Sequence, residues 1–384
     1  MVYYFSDCQP GAVVGCVAGS NASPGTQAAP KQNLSGVSVN SLPAGSHLLF
    51  ARGGAWTVAI NLNNPNATSA APLTFADYGS GALPVFNTPS GTTLSFGRYG
   101  DTVPDGGYVF RNLKLDGRGT GQWGAFVQGA TRDVTFDGVE ATGFAIGVHA
   151  QQIGGASNER LTIRNSVLRN NREHGFLGDS NVLLIEGSLF EGNNPDGGGM
   201  EHGAYLGGRS TSLTVRNSTF RRNSAPGGVC NGGNLTLHGQ HDNVLIEGNV
   251  IEQDASAGNC WLLSITTGYT SAEWFRNLVV RNNRLINGGN AALIVQSAAN
   301  ALIEGNVSWS NQPELGQAAV VTGGVGGSGG GDEAMTGGTI RNNTACYPIP
   351  SPNNTVLRNS SPGATLTTNV MRIGADATTG ACAR

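Results

Sequence analysis

A chain of 384 residues with 59 glycines and only 12% charged residues carries too little charge for a disordered polymer and too much glycine for a helical protein. Its formal net charge of −3 lacks the basic surplus expected of a nucleic-acid binder, and no apolar run is long enough to span a membrane as a helix. Many short strands joined by tight turns fit this composition.

Residues 1–45 read as an entry segment. The chain begins "MVYYFSDC", with neither a basic n-region nor an apolar h-region, so no signal peptide is expected in it. The six cysteines fall in three neighbourhoods: Cys8 with Cys16, Cys230 with Cys260, and Cys346 with Cys382. None forms a CxxC and no histidine stands at zinc-finger spacing, so a metal framework is not expected. An even count in loop-like sequence favours disulfides between nearest neighbours and an oxidising compartment.

From residue 46 to residue 345 the chain repeats. Segments such as "LTIRNSVLRNN" (161–171), "LLIEGSLFEGN" (183–193), "LTVRNSTFRRN" (213–223) and "VLIEGNVIEQ" (244–253) each join two apolar strand fragments through Arg-Asn or Glu-Gly. The hinge runs Asn112, Gly138, Asn165, Gly187, Asn217, Gly248, Asn282, Gly305, Asn342, with successive hinges 22–37 residues apart. This period, without a helical half or a Leu-x-x-Leu-x-Leu pattern, predicts an all-β parallel solenoid. Coils of unequal length predict its single-stranded right-handed β-helix form. Gly and Asn reach left-handed geometry at least cost, which suits a bend between two sheets. Inward asparagines are expected to bond to one another and to backbone along the axis. The tail, residues 346–384 with "CYPIPSPNN", leaves the repeat and is expected to form an irregular cap.

Each coil carries a further strand before its hinge pair, as in "IGVHAQQ" (146–152), "GFLGDSN" (175–181), "AYLGGRS" (204–210) and "LTLHGQH" (235–241). With Val148, Leu177, Leu206 and Leu237 taken as inward, strand alternation turns His149, Gly178, Gly207 and His238 outward. Phe176 and Tyr205 then form a step alongside a glycine floor. Small residues let a polymer lie close, aromatic faces accept the C–H face of a pyranose, and imidazoles and carboxylates move protons. Glu173-His174 and Glu201-His202, 28 residues apart, head two of these strands, with Asp179, Arg209, His238, Gln240, His241 and Asp242 nearby. Five of the six histidines lie between positions 149 and 241, and that clustering marks the candidate site. The competing reading is that Glu-His-Gly is a turn motif bonded to backbone.

These repeats resemble the right-handed parallel β-helix superfamily that includes pectate lyases, alginate lyases, polygalacturonases and phage tailspikes. So do the entry segment "YYFSDCQPGAVVGCVAGSNASPGTQAAP" and the first coils "LPAGSHLLFARGGAW" and "PLTFADYGSGALPVF". The resemblance implies a secreted protein with a polysaccharide as partner, no nucleic acid and no membrane, as a monomer or homotrimer. It implies cleavage of an acidic, uronate-containing glycan in a groove on the flank, or glycan binding without catalysis.

In a lyase His202 would be the base, Tyr205 the acid and Arg209 the neutraliser of the uronate carboxylate, with Glu201 and His238 completing the catalytic set. Glu173, His174, Phe176, Asp179, His149, Gln240 and His241 would bind substrate. A lysine base is disfavoured, since only Lys31 and Lys114 occur. In a hydrolase two carboxylates about 5–9.5 Å apart would come from Glu173, Asp179, Glu201 and Asp242. The paired-aspartate and Gly-His-Gly signatures of polygalacturonases are missing, as is the Tyr-Gly-Phe-Asp-Pro-His signature of alginate epimerases. "NGGNLTLHG" (231–239) is similar to an alginate-lyase motif but lacks that family's Lys-Ser. No metal is required; Asp332-Glu333, in the glycine-rich "GGVGGSGGGDEAMTGG" (323–338), is the one candidate for bound calcium.

Overall fold

A computed structural model describes residues 1–97, 103–152, 156, 158–197, 200–224, 232–254, 261–289, 291–312, 318–323 and 332–383. The chain forms two compact units, residues 1–171 and 172–384. In the first, a parallel ladder runs through Val2–Phe5, His47–Ala51, Leu73–Tyr78, Asp105–Arg111, Thr131–Asp137 and Glu159–Arg164. Parallel stacking sets like side chains on like. Phe50, Phe75, Phe110 and Phe136 form one buried file, with successive ring centroids 6.4, 5.1 and 5.4 Å apart. Each such ring contributes roughly 1.5–3 kcal/mol by leaving water.

The second unit has three long ladders. One runs from Val182–Glu186 through Ser212–Arg216, Val244–Glu247, Val279–Arg281, Leu302–Glu304 and Thr339–Arg341 to Thr365–Thr367. The next begins at Leu189–Glu191 and ends at Val370–Ile373. The flank ladder takes His174–Gly178, Ala204–Leu206, Gly233–Leu237, Trp261–Ile265, Ala291–Val295, Ala318–Thr322 and Thr355–Asn359. The tail after Cys346 therefore keeps the register for one more coil. The irregular end is the short stretch from Gly374, two 3-10 turns tied back by the Cys346–Cys382 disulfide. Cys8–Cys16 is likewise formed; Cys230 and Cys260 lie outside the described residues.

All nine hinge residues have positive φ, from 52° at Asn112, Asn165 and Asn217 to 69° at Gly138. The Asn–Gly alternation has a steric cause. A Cβ at Gly138 would lie 2.5 Å from Oδ1 of Asn112, one at Gly248 2.8 Å from Asn217, and one at Gly305 2.6 Å from Asn282. The residue before the hinge alternates in charge, so Arg216 meets Glu186 at 2.6 Å, Arg281 meets Glu247 at 2.7 Å and Arg341 meets Glu304 at 2.8 Å.

The residue after the hinge points inward. In the second unit Asn249, Asn283, Asn306, Asn343 and Asn369 form a continuous ladder. From Asn283 onward each Oδ1 accepts both the side-chain amide and the backbone N–H of the preceding asparagine, at 2.9–3.1 Å. Each Nδ2 also donates to a main-chain carbonyl, as Asn306 does to Val280. Asn306→Ala would orphan two buried donors on Asn283 and should lower the unfolding free energy by roughly 2–4 kcal/mol. Arg216→Ala, which breaks a half-exposed ion pair at the rim, should barely move the denaturant midpoint. Equal midpoints for the two variants would show that the ladder is not what secures the turn.

Candidate functional site

The flank ladder of the second unit sets the site. Leu177 pairs with Tyr205, Thr236, Ser264 and Ile294 along its outward row, while Phe176 pairs with Ala204, Leu235, Leu263 and Leu293 along the inward row. This corrects the expected placement of Phe176, which is 0% exposed and belongs to the core. The strand enters one residue out of step with the Leu206–Leu237 alignment, so Gly178 faces Leu206, and Leu177 takes the outward place. Gly207 is no open floor either. Its missing Cβ would lie 2.6 Å from the Tyr269 hydroxyl and 2.7 Å from the Tyr205 ring, so glycine there makes room for two tyrosines.

A cavity of about 690 Å³ opens over this row, walled by Leu177, Met200, Trp261 and Ile294 and by a file of rings. His174 and His202 have centroids 5.8 Å apart, His202 and Tyr205 5.1 Å, Tyr205 and His238 5.5 Å, and His238 and Tyr269 5.4 Å. Coil stacking brings together four residues expected from the sequence, His174, His202, Tyr205 and His238.

Their hydrogen bonds give them different chemistry. Nδ1 of His174 accepts the backbone N–H of His202 at 3.0 Å, and Nδ1 of His202 accepts that of Gly233 at 2.9 Å. A nitrogen that accepts an amide proton holds a lone pair, so each neutral ring carries its own proton on Nε2. These two imidazoles are hydrogen-bond donors, and the expected role of His202 as base is unsuited to its tautomer. Burial, with His174 beside it, pushes the His202 pKa down to about 3.

His238 is arranged the opposite way. Its Nδ1 lies 3.5 Å from Oε1 of Glu273, which is 0% exposed. At that distance Nδ1 makes no hydrogen bond to the carboxylate; a proton placed on Nδ1 would face Glu273 and leave Nε2, 3.5 Å from the Thr266 hydroxyl, with a lone pair. Burial lowers the His238 pKa while the Glu273 carboxylate opposes that effect. Glu273 is held by backbone N–H groups of Gly239 at 2.6 Å, Gly268 at 2.5 Å and Tyr269 at 2.7 Å. The Tyr205 and Tyr269 hydroxyls lie 2.8 Å apart, and burial raises both pKa values, so both phenols keep their protons.

Other expected residues lie elsewhere. His241 is buried between the Ser210 hydroxyl and the His238 carbonyl, both at 2.8 Å, and stacks on Phe275. Gln240 donates to the Ala272 carbonyl, and a carboxylate oxygen of Asp179 accepts the Arg209 backbone N–H at 2.6 Å. Arg209, Glu173, Glu201 and Asp242 are absent from the cavity wall. His149 belongs to the first unit, where its ring sits 5.2 Å from Trp123 and 5.0 Å from Phe126. In Asp332 and Glu333, the candidate pair for calcium, Oδ1 of Asp332 accepts the Glu273 backbone N–H at 2.9 Å, and Glu333 pairs with Arg276. No cluster of three potential metal ligands occurs among the described residues.

Sequence reasoning missed Glu273 and Tyr269, in "TTGYTSAEW" (266–274). The available signal was that Glu273 is the only carboxylate between Asp254 and Glu304 and has no hinge arginine to pair with.

Parallel ladders, left-handed hinges and a ring-lined flank define a β-helix. The model of the right handed beta helix region matches residues 103–345, and the chain belongs to that family. Among solved structures, a GH136 lacto-N-biosidase from Eubacterium ramulus is 11% identical with a TM-score of 0.54, over 97% of this chain and 68% of its own. The mannuronan C-5 epimerase AlgE4 A-module of Azotobacter vinelandii is 19% identical with a TM-score of 0.55, over 86% of each chain. At such identities these likenesses establish the fold. No curated protein matches the sequence.

The depressed His202 pKa makes stability depend on pH. Below the ordinary value of 6.5 the unfolded chain takes up a proton that the folded ring refuses until about pH 3. Stability is therefore expected to fall as pH drops through that window. His202→Gln, which keeps an acceptor for Gly233 N–H, should reduce the slope of the denaturant midpoint against pH between those limits without abolishing it, since burial also depresses His149, His238 and His241; an unchanged slope would show that His202 does not contribute.

Proposed function

We propose that this protein is a secreted polysaccharide lyase acting on a uronate-containing glycan in the cavity of residues 172–384. The observation that carries the reading is His238, set beside the buried Glu273 in a cavity whose other titratable groups, among the described residues, are two tyrosines and two Nε2–H imidazoles. Nε2 of His238 takes the proton α to the sugar carboxyl, with Glu273 stabilising the imidazolium. The Tyr205–Tyr269 pair protonates the leaving oxygen. His174 and His202 donate to the carboxyl oxygen where charge develops. Hydrolysis by paired carboxylates is less well supported, since none of Glu173, Asp179, Glu201 and Asp242 lines the cavity. The two disulfides support an oxidising, extracellular location, and among the described residues no helix is long and apolar enough to cross a membrane.

The test is a screen of alginate, pectate, glucuronan, hyaluronan and bacterial capsules, with esterified forms included, reading both unsaturated-product absorbance and reducing ends. Absorbance with reducing ends is expected; reducing ends alone would mean hydrolysis, and binding without either would mean a glycan-binding protein. On the substrate found, His238→Ala should lower kcat by about 10²–10⁴-fold, and Tyr205→Phe should lower kcat more than it raises KM. Glu273→Gln removes the anion that raises the His238 pKa, so the acid limb of kcat/KM should move to lower pH. Full activity in His238→Ala would refute the assignment of the base.

A further inference from the structure

We infer that the preferred substrate carries its uronate carboxyl as a neutral ester, an inference that rests on the elimination reading above. The cavity wall offers little to an anion. Among the described residues it contains no lysine or arginine, and no lysine occurs after Lys114. The hinge arginines of the second unit are committed to coil carboxylates, Arg216 to Glu186, Arg281 to Glu247 and Arg341 to Glu304; Arg221 is paired with Glu191 and Arg276 with Glu333. Arg209 is exposed, and its main chain is bound to Asp179. The carboxylate of Glu273 is fully buried 3.5 Å from His238. An ionised uronate placed there would add a second negative charge to a half-dry space without a cation, which is costly.

An ester removes that cost. Its carbonyl oxygen remains an acceptor for the Nε2–H groups of His174 and His202, and its alkyl group can pack on Leu177, Met200, Trp261 and Ile294. The chemistry balances without any co-reactant. The α C–H proton passes to Nε2 of His238, its electron pair forms the C4–C5 double bond, and the C4–O4 bond breaks. The departing oxygen takes a proton from a tyrosine hydroxyl. An ester also acidifies the α C–H more than a free carboxylate does, so the site needs no cation to make the proton removable.

The test compares one homogalacturonan in methyl-esterified and de-esterified forms, and alginate with its propylene glycol ester. Two readouts are used: absorbance from unsaturated products, and tryptophan-fluorescence titration of oligomers on His238→Ala and His238→Gln, each checked for native circular dichroism. The ester is expected to exceed the free acid about 100-fold or more in kcat/KM, with the same preference in binding. Ester-selective binding without unsaturated product would uphold the inference and refute the elimination reading. Equal or better binding and turnover of the free acid would overturn the inference, as would failure of either variant to bind any ester. A free-acid activity abolished by Arg209→Gln would overturn it by revealing the cation.

Discussion

Each coil must reverse its backbone through one residue in the left-handed region and still satisfy every amide it carries into the interior. The hinge meets both demands with adjacent residues. Asn or Gly supplies the turn at positive φ, and from Ser166 onward the next residue, Ser or Asn, sends its side chain inward to take up the amide of the neighbouring coil. Ser218 and Asn249 already show the handover, with the Ser218 N–H donated to Oδ1 of Asn249 at 2.9 Å. From Asn249 onward the asparagine ladder runs unbroken to Asn369. Buried polar groups of this kind stabilise only when fully paired, which explains why it continues to the last coil.

The same stacking that sets Phe on Phe in the core sets ring on ring at the flank, and the candidate site grows out of that periodicity. Periodicity alone yields a row of similar imidazoles. What differentiates them is the group at each Nδ1. A backbone N–H fixes His174 and His202 as donors, whereas a carboxylate 3.5 Å from Nδ1 favours the tautomer that leaves His238 able to accept. That carboxylate comes from a loop and short strand outside the long ladders, where Trp274–Arg276 pairs with Gln240–Asp242, and its main chain is fixed in turn by Asp332.

What could be read from the sequence follows that division. The repeat, the hinge and its left-handed geometry were legible because nine coils state the same requirement with Gly or Asn at the same place. His174, His202, Tyr205 and His238 were legible because the repeat aligns them. Phe176 was misplaced because a flank strand of five residues fixes its face only through its neighbours, and a slip of one residue exchanges inside for outside. Glu273 and Tyr269 escaped notice because they sit in an insertion with no counterpart in other coils. The tautomers of His174 and His202 depend on which backbone amide approaches each ring, and no residue pattern encodes that.

The alternation at the hinge makes coils come in twos. Asparagine recurs at 112, 165, 217, 282 and 342, every 52 to 65 residues, with arginine before it each time. Glycine, with an acidic residue before it, occupies the places between. Within each unit, loss of a single coil would bring like charges face to face at the rim and put a Cβ where an asparagine oxygen already sits. Loss of two would restore both matches. The smallest module that can be duplicated, deleted or exchanged between such chains without a mismatched seam is therefore the coil pair, even though the eye, and the backbone, count single turns.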